Sequence, residues 1–138
     1  MKTIFSAFLI CAVILFIGCG TSKNSDSGSF GDSEWVMFEM DGNKYEPATG
    51  KNITLEFKSN GRKVSGKAPC NTYSTTYTQK DNKLSFGQIL STEMACGELE
   101  TESAYLKLLS TTFAYQTYSD MLYLFNSDGM VIFRFKSK

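Results

Sequence analysis

Cysteine is the residue type with the clearest potential for chemistry in this chain of 138 residues, which contains four cysteines and no histidine. Without histidine, the chain lacks the usual proton shuttle near neutral pH, the usual base that activates a nucleophilic serine or cysteine, and the commonest zinc ligand. The glycines form neither a phosphate-binding loop nor a dinucleotide-binding fingerprint. We therefore expect no enzyme activity, cofactor or metal site, and we expect the cysteines to be modified or disulfide-bonded.

Cys19 follows an apolar run that has the features of an export signal. Lys2 precedes the run, which covers residues 4–18 and, at about 15 residues, is too short for a comfortable membrane-spanning helix. The tetrapeptide Phe16-Ile17-Gly18-Cys19 is similar to the bacterial lipobox, in which the cysteine is acylated and the chain is cut before it. The sequence predicts a lipoprotein signal peptide at residues 1–18 and fatty chains such as palmitate on Cys19. A plain signal peptide or an uncleaved anchor is the alternative.

The predicted lipidation of Cys19 places the protein at a membrane surface in the cell envelope. Several fatty chains on one cysteine give stable attachment, because each buried methylene contributes about 0.8 kcal/mol. No aspartate follows Cys19, so we expect the outer membrane under an enterobacteria-like sorting system, and the leaflet stays open. Residues 19–33 are rich in glycine, serine and other small polar residues, which predicts a flexible tether.

Cys70 and Cys96 remain once Cys11 leaves with the signal peptide and Cys19 carries lipid. In an oxidising envelope we expect these two cysteines to form a disulfide. The bridge closes a loop of about 26 residues and stabilises the fold by about 3.5 kcal/mol in the chain-entropy model. Two free, buried thiols are the alternative in a weakly oxidising host.

Charge and composition limit the kinds of partner that the chain can bind. Its 14 basic and 14 acidic side chains give a formal net charge of zero. Loss of Lys2 with the signal peptide lowers this to about −1. No basic patch with interleaved aromatic residues is present, so we expect no nucleic-acid binding. Aromatic residues make up 14% of the chain, which favours strands over helices.

We expect one domain over residues 34–138, built mainly from strands joined by tight turns. Alternating apolar residues and short connections predict antiparallel pairing, and Asp41-Gly42 marks one of the turns. The predicted strands lie around Trp35 and Met37 and at residues 53–57, 64–68, 73–79, 84–86, 89–92, 113–118, 121–125 and 130–135.

The segment at residues 98–109 departs from alternation and predicts the one good helix. The residues near one face of this helix are Leu99, Glu102, Leu106 and Leu109. Glutamates are concentrated near its N-terminus, where the backbone dipole favours negative charge. A paired-carboxylate catalytic site is the alternative explanation, although no partner base is visible.

Aromatic side chains on the predicted strands either fill the core or line a pocket inside a curved sheet. Alternation cannot distinguish these arrangements, because inward-facing residues look the same around a packed and a hollow interior. The candidate pocket residues are Tyr73, Tyr77, Phe86, Tyr115 and Phe133.

Several short motifs resemble the META domain family, which includes HslJ-like heat-inducible proteins. The motifs are Val64-Ser65-Gly66-Lys67-Ala68-Pro69-Cys70-Asn71-Thr72-Tyr73, Leu84-Ser85-Phe86, Ser91-Thr92-Glu93-Met94-Ala95-Cys96, and Glu102 with Leu106 on the helix. Gly97 stands where the family often has proline.

The resemblance implies an α+β fold: a curved antiparallel sheet or partly open β-barrel with one packed helix. It brings no catalytic residues. The family motif positions that it marks are Cys70, Asn71, Tyr73, Met94 and Cys96, and all except Tyr73 are expected to hold two strand ends together. Because the family is linked to envelope stress and drug tolerance, we expect a non-enzymatic envelope lipoprotein that binds an unknown envelope protein partner. A carrier of a small apolar ligand in a barrel cavity is the alternative.

Overall fold

The computed structural model describes residues 33–138, which form a single antiparallel sheet with one α-helix. The elements are β1 (Glu34–Met40), β2 (Asn43–Lys44), β3 (Thr54–Lys58), β4 (Lys63–Lys67), β5 (Thr72–Lys80), β6 (Lys83–Phe86), β7 (Leu90–Ser91), α1 (Leu99–Leu109), β8 (Ala114–Tyr118), β9 (Met121–Phe125) and β10 (Val131–Ser137), with a short 3-10 turn at Asn60–Arg62. The predicted signal peptide, Cys19 and the tether through residue 32 lie outside the described residues. Within the described part of the chain, no helix is long and apolar enough to cross a membrane.

Eight of the strands close into a barrel in the order β1-β3-β4-β5-β6-β8-β9-β10, and β10 pairs back onto β1. The closing pair runs from Trp35 opposite Ser137 to Met40 opposite Phe133. The short strands β2 and β7 pair with β1 and β5 outside this ring. The predicted curved antiparallel sheet with one helix is confirmed, and the sheet closes into a barrel. Closure gives the outer edges of β1 and β10 backbone partners, which an open sheet would leave exposed.

The core fills the interior of the barrel because alternate residues of each strand face inward. On β5, for example, Tyr73, Thr75 and Tyr77 are buried while the residues between them are exposed. The predicted turn at Asp41-Gly42 is confirmed, since both residues adopt positive φ angles between β1 and β2.

The helix packs through a face that overlaps only in part with the one predicted. Its buried residues are Glu102, Tyr105 and Leu109, whereas Leu99 is 42% exposed. The prediction that Leu99 belongs to the buried face is therefore wrong. The ring of Tyr105 enters the core instead, where its centroid lies 5.6 Å from that of Tyr73.

The barrel wall changes its bonding pattern between β3 and β4. The ladder between these strands covers Glu56 opposite Ser65 through Lys58 opposite Lys63. Beyond this ladder, hydrogen bonds that involve side chains replace the backbone pairing. The Lys67 N–H donates to Thr54 Oγ1 at 3.1 Å, and the Tyr73 hydroxyl donates to the Thr54 carbonyl at 2.8 Å. The Tyr73 side chain passes over Gly66, where a Cβ would lie 2.6 Å from its hydroxyl.

Tyr73 and Tyr105 form a buried hydroxyl pair at 2.6 Å. Because the one hydroxyl proton of Tyr73 goes to Thr54, Tyr105 is the donor to Tyr73. Burial, reinforced by Tyr105, raises the pKa of Tyr73 well above 10, and burial also raises the pKa of Tyr105.

Gly66→Ala is expected to destabilise the fold by at least about 2 kcal/mol, because the new methyl would overpack a rigid site. Its Cβ would lie 2.0 Å from the backbone oxygen of Thr54, which cannot move without breaking the wall. Urea unfolding measures the change in the free energy of unfolding. Gly97→Ala is the control, since a Cβ there meets no atom within 4 Å. Equal effects of the two substitutions would contradict this account of the wall.

The tyrosine pair is expected to make the fold less stable above pH 10. The unfolded chain releases tyrosine protons near pH 10, whereas the folded chain retains them, so the free energy of unfolding is unaffected by this pair at lower pH and falls as pH rises. Urea unfolding at pH 8 to 11 measures this slope. In the Tyr73→Phe/Tyr105→Phe variant the decline should be shallower by up to about 2.7 kcal/mol per pH unit. If the variant's stability declined with pH as steeply as that of the wild type, the proposed contribution of the Tyr73–Tyr105 pair would be refuted.

Candidate functional site

The Asn71 side chain connects three parts of the chain through four hydrogen bonds. Its Nδ2 donates to the Met94 carbonyl at 3.1 Å and to Glu102 Oε1 at 2.6 Å. Its Oδ1 accepts from the Met94 N–H at 2.7 Å and from Thr92 Oγ1 at 2.8 Å. These contacts use both donors and both acceptor positions of the amide. Asn71 therefore holds the segment before the helix against the β4–β5 connection.

Glu102 is a buried carboxylate at the centre of this arrangement and is only 5% exposed. Besides Asn71 Nδ2, it accepts the backbone N–H groups of Cys70 at 2.8 Å and of Asn71 at 2.9 Å, both on Oε2. A carboxylate is tolerated in a core only when such donors replace water. The prediction that the helix dipole explains the glutamates missed this role. The signal was present, since Glu102 is spaced at i, i+3 and i+7 with the buried Tyr105 and Leu109.

Cys70 and Cys96 form the predicted disulfide, which is thereby confirmed. The bridge joins the β4–β5 connection to the segment that precedes α1. It therefore connects two loops, whereas the sequence suggested two strand ends. We call this cluster the Asn71–Glu102 knot; it consists of Cys70, Asn71, Met94, Cys96 and Glu102. Its role is structural, because the two sulfurs are bonded to each other and every polar atom of the Asn71 side chain is hydrogen-bonded.

The candidate pocket aromatics are packed together inside the barrel. Tyr73, Tyr77, Tyr115 and Phe133 are each at most 9% exposed, and Phe86 packs against the core from its edge. Their rings lie close to neighbouring rings: the Phe57 centroid is 5.2 Å from that of Tyr77 and 6.2 Å from that of Phe86. The Tyr105 centroid is likewise 5.2 Å from that of Phe133. These side chains contribute to the packed core, and Tyr73 and Tyr115 each also line a surface depression.

A surface groove lies directly beside the knot. It consists of two depressions of about 820 Å³ and about 580 Å³ that share lining residues and so form one continuous groove. The floor is the outer face of β4 and β5, and one wall is formed by β1 and β3. The other wall is formed by Leu90, Ser91, Thr92 and Met94. The shared lining residues are Glu34, Thr54, Lys67, Thr72 and Thr92.

The groove wall at residues 90–94 is well held yet exposes apolar side chains. Leu90 is 62% exposed and Met94 is 61% exposed. The segment is nevertheless fixed by the pairing of β7 with β5, by both backbone groups of Met94 and by the disulfide that follows. Rigid, exposed apolar side chains beside a groove are typical of a binding surface.

Glu98, which directly precedes the helix, connects its start to the segment between β2 and β3. Glu98 Oε1 accepts the Thr49 N–H at 3.2 Å, and Oε2 accepts the Tyr45 hydroxyl at 3.4 Å. Burial and the nearby Glu98 carboxylate raise the pKa of Tyr45 to about 12. In residues 33–138, the acidic and cysteine side chains form no cluster of three that could bind a metal ion.

Glu102→Gln is expected to destabilise the fold by about 2 to 4 kcal/mol, because an amide nitrogen would face one of the donors that now point at the carboxylate. Urea unfolding measures the loss. Glu100→Gln is the matched control, since Glu100 lies in the same first turn and shares the dipole interaction but is exposed. The control should cost at most about 1 kcal/mol. Similar losses of stability for the two variants would contradict the role assigned to Glu102 in the knot.

Comparison with known proteins agrees with this fold. A solved NMR structure of a protein from Burkholderia xenovorans is 32% identical, with a TM-score of 0.62 over 79% of this chain and 83% of that chain. The crystal structure of a DUF4847 family protein from Bacteroides vulgatus is 15% identical, with a TM-score of 0.60 over 78% of this chain and 93% of that chain, and this similarity concerns the fold alone. No curated protein matches the chain significantly.

The family comparison covers the whole described barrel and the knot. The model of the META domain matches residues 28–138, which include every strand, the helix, and the cysteine and asparagine positions of the knot. The chain therefore belongs to the META domain family.

Proposed function

We propose that this protein is a non-enzymatic envelope lipoprotein that acts by binding a protein partner through the groove beside the knot. The side chains that could most readily take part in a reaction are already used in structural contacts. Cys70 and Cys96 are bonded to each other, and Glu102 and Asn71 bind one another and the surrounding backbone. A turnover mechanism would have to disrupt the contacts that hold the loops in place.

The observation that carries the proposal is the exposure of Leu90 and Met94 on a segment that cannot easily collapse. Ordering a loop on binding costs free energy, and a loop that is already ordered avoids most of that cost. Methionine is also enriched at protein interfaces, where its flexible thioether adapts to a partner. The wall of the groove therefore combines a fixed backbone with adaptable side chains.

The position of the groove suits an anchored protein. Glu34, the first residue of β1, lines both depressions of the groove. The sequence predicts a tether of about 15 residues between the lipid on Cys19 and Glu34, and a flexible chain of that length has an average end-to-end distance of about 20 Å. The partner would then bind close to the bilayer that holds the anchor. A role in envelope stress or drug tolerance follows from the family resemblance and forms part of the proposal.

A carrier role for a small apolar ligand is the weaker alternative. A ligand inside the barrel would have to displace rings that already pack against one another, such as those of Phe57 and Tyr77. The open groove is large enough for a ligand, but its lining mixes lysines, hydroxyl groups and apolar side chains, which suits a polar polypeptide better than a purely apolar molecule.

Site-specific photocrosslinking in intact cells tests partner binding. A benzophenone amino acid at position 94 should give a discrete adduct with one envelope protein, identified by mass spectrometry, and Leu90→Ser should lower its yield. The control position is Met130, which is 58% exposed and lies directly before β10, at the end of that strand opposite to Lys138, which lines the groove. Equal adducts at both positions, or none at position 94, would contradict the proposal.

In the same cells, Cys19→Ser should move the protein from the membrane to the soluble fraction.

A further inference from the structure

We infer that the groove binds an extended peptide segment that carries acidic residues next to an apolar residue. This inference rests on the proposed partner-binding function and names the chemistry of the partner. It follows from three properties of the groove: the distribution of its charges, the polar groups along its floor, and the position of its apolar side chains.

The charges of the groove leave two lysines without a partner. Glu34 is paired with Lys138 at 2.9 Å, and Glu56 is paired with Lys58 at 2.5 Å. Lys51 and Lys67 also line the groove, and neither forms an ion pair or side-chain hydrogen bond with any residue in 33–138. The carboxylates of the groove are therefore neutralised while two ammonium groups are available, so the groove is complementary to negative charge.

The floor of the groove offers hydrogen-bonding groups that are suited to a peptide backbone. Ser65 on β4 lies opposite Ser74 on β5, and Lys67 lies opposite Thr72 in the same pair of strands. The side-chain hydroxyls of Ser65, Thr72 and Ser74 make no hydrogen bond within the described part of the chain. From Thr72 to Ser74, β5 covers roughly 7 Å at the rise of a strand, which is the length of about two residues of an extended peptide.

Apolar contacts lie on both sides of this polar floor. Val36, Ala68 and Pro69 line the larger depression together with Met94, while Leu90 lines the smaller one. An apolar side chain of the peptide can contact Met94 while an acidic neighbour reaches Lys51 or Lys67. This mixed, concave lining favours a peptide over a flat anionic membrane surface, which would meet a broad basic face and not two lysines inside a groove.

Selection from a random linear peptide library displayed on phage tests the inference, with the full-length protein purified in detergent and immobilised. The wild-type protein should enrich peptides that combine at least two Asp or Glu residues with an aliphatic or aromatic residue. The Lys51→Glu/Lys67→Glu variant should bind a selected peptide at least tenfold more weakly and should enrich basic peptides instead. Lys80→Glu/Lys107→Glu is the control, because both lysines are exposed outside the groove.

The inference is overturned if no acidic consensus appears, or if the control variant loses peptide binding as strongly as the groove variant. Displacement of the selected peptide by soluble dihexanoylphosphatidylglycerol would assign the lysines to a lipid headgroup and would equally overturn it. These outcomes are separate from the crosslinking result. An adduct at position 94 without acidic selection leaves partner binding intact and removes only the peptide chemistry.

Discussion

The hydrogen bonds of the buried Glu102 carboxylate are the interaction on which the rest of this structure depends. Removing a carboxylate from water costs several kcal/mol unless the protein supplies donors of its own. Here the donors are two consecutive backbone N–H groups and the amide of Asn71. The helix and the β4–β5 connection must therefore both be in place before the charge is compensated, and Asn71 joins them to residues 92–94. The disulfide then ties two of the same loops together.

A second constraint comes from the interior of the barrel. The Tyr105 side chain extends from the helix and hydrogen-bonds the Tyr73 hydroxyl. The Tyr73 side chain passes over Gly66 and donates to the Thr54 carbonyl. This chain of hydroxyl groups completes the wall where the β3–β4 ladder stops. The rings of Tyr73 and Tyr105 also pack against each other in the core, with centroids 5.6 Å apart.

The binding surface is a consequence of both constraints. Because the knot holds residues 92–96 from below, the side chains of Leu90 and Met94 are left outside, at the edge of the groove. The same rigidity that stabilises the loops prevents these side chains from folding inward. A partner segment with apolar and acidic residues would meet Met94, Lys51 and Lys67 on a surface that needs little rearrangement.

The sequence alone determined most of the strands, the turn at Asp41-Gly42, the helix and the pairing of Cys70 with Cys96, because alternation, turn chemistry and cysteine count are local or countable properties. Tertiary structure alone decided the closure of β10 onto β1, the donors that meet Glu102, and the groove. These features join residues far apart in the chain, such as Asn71 and Glu102. Periodicity reports which face of an element is apolar, but it carries no information on which distant donor will meet a buried charge.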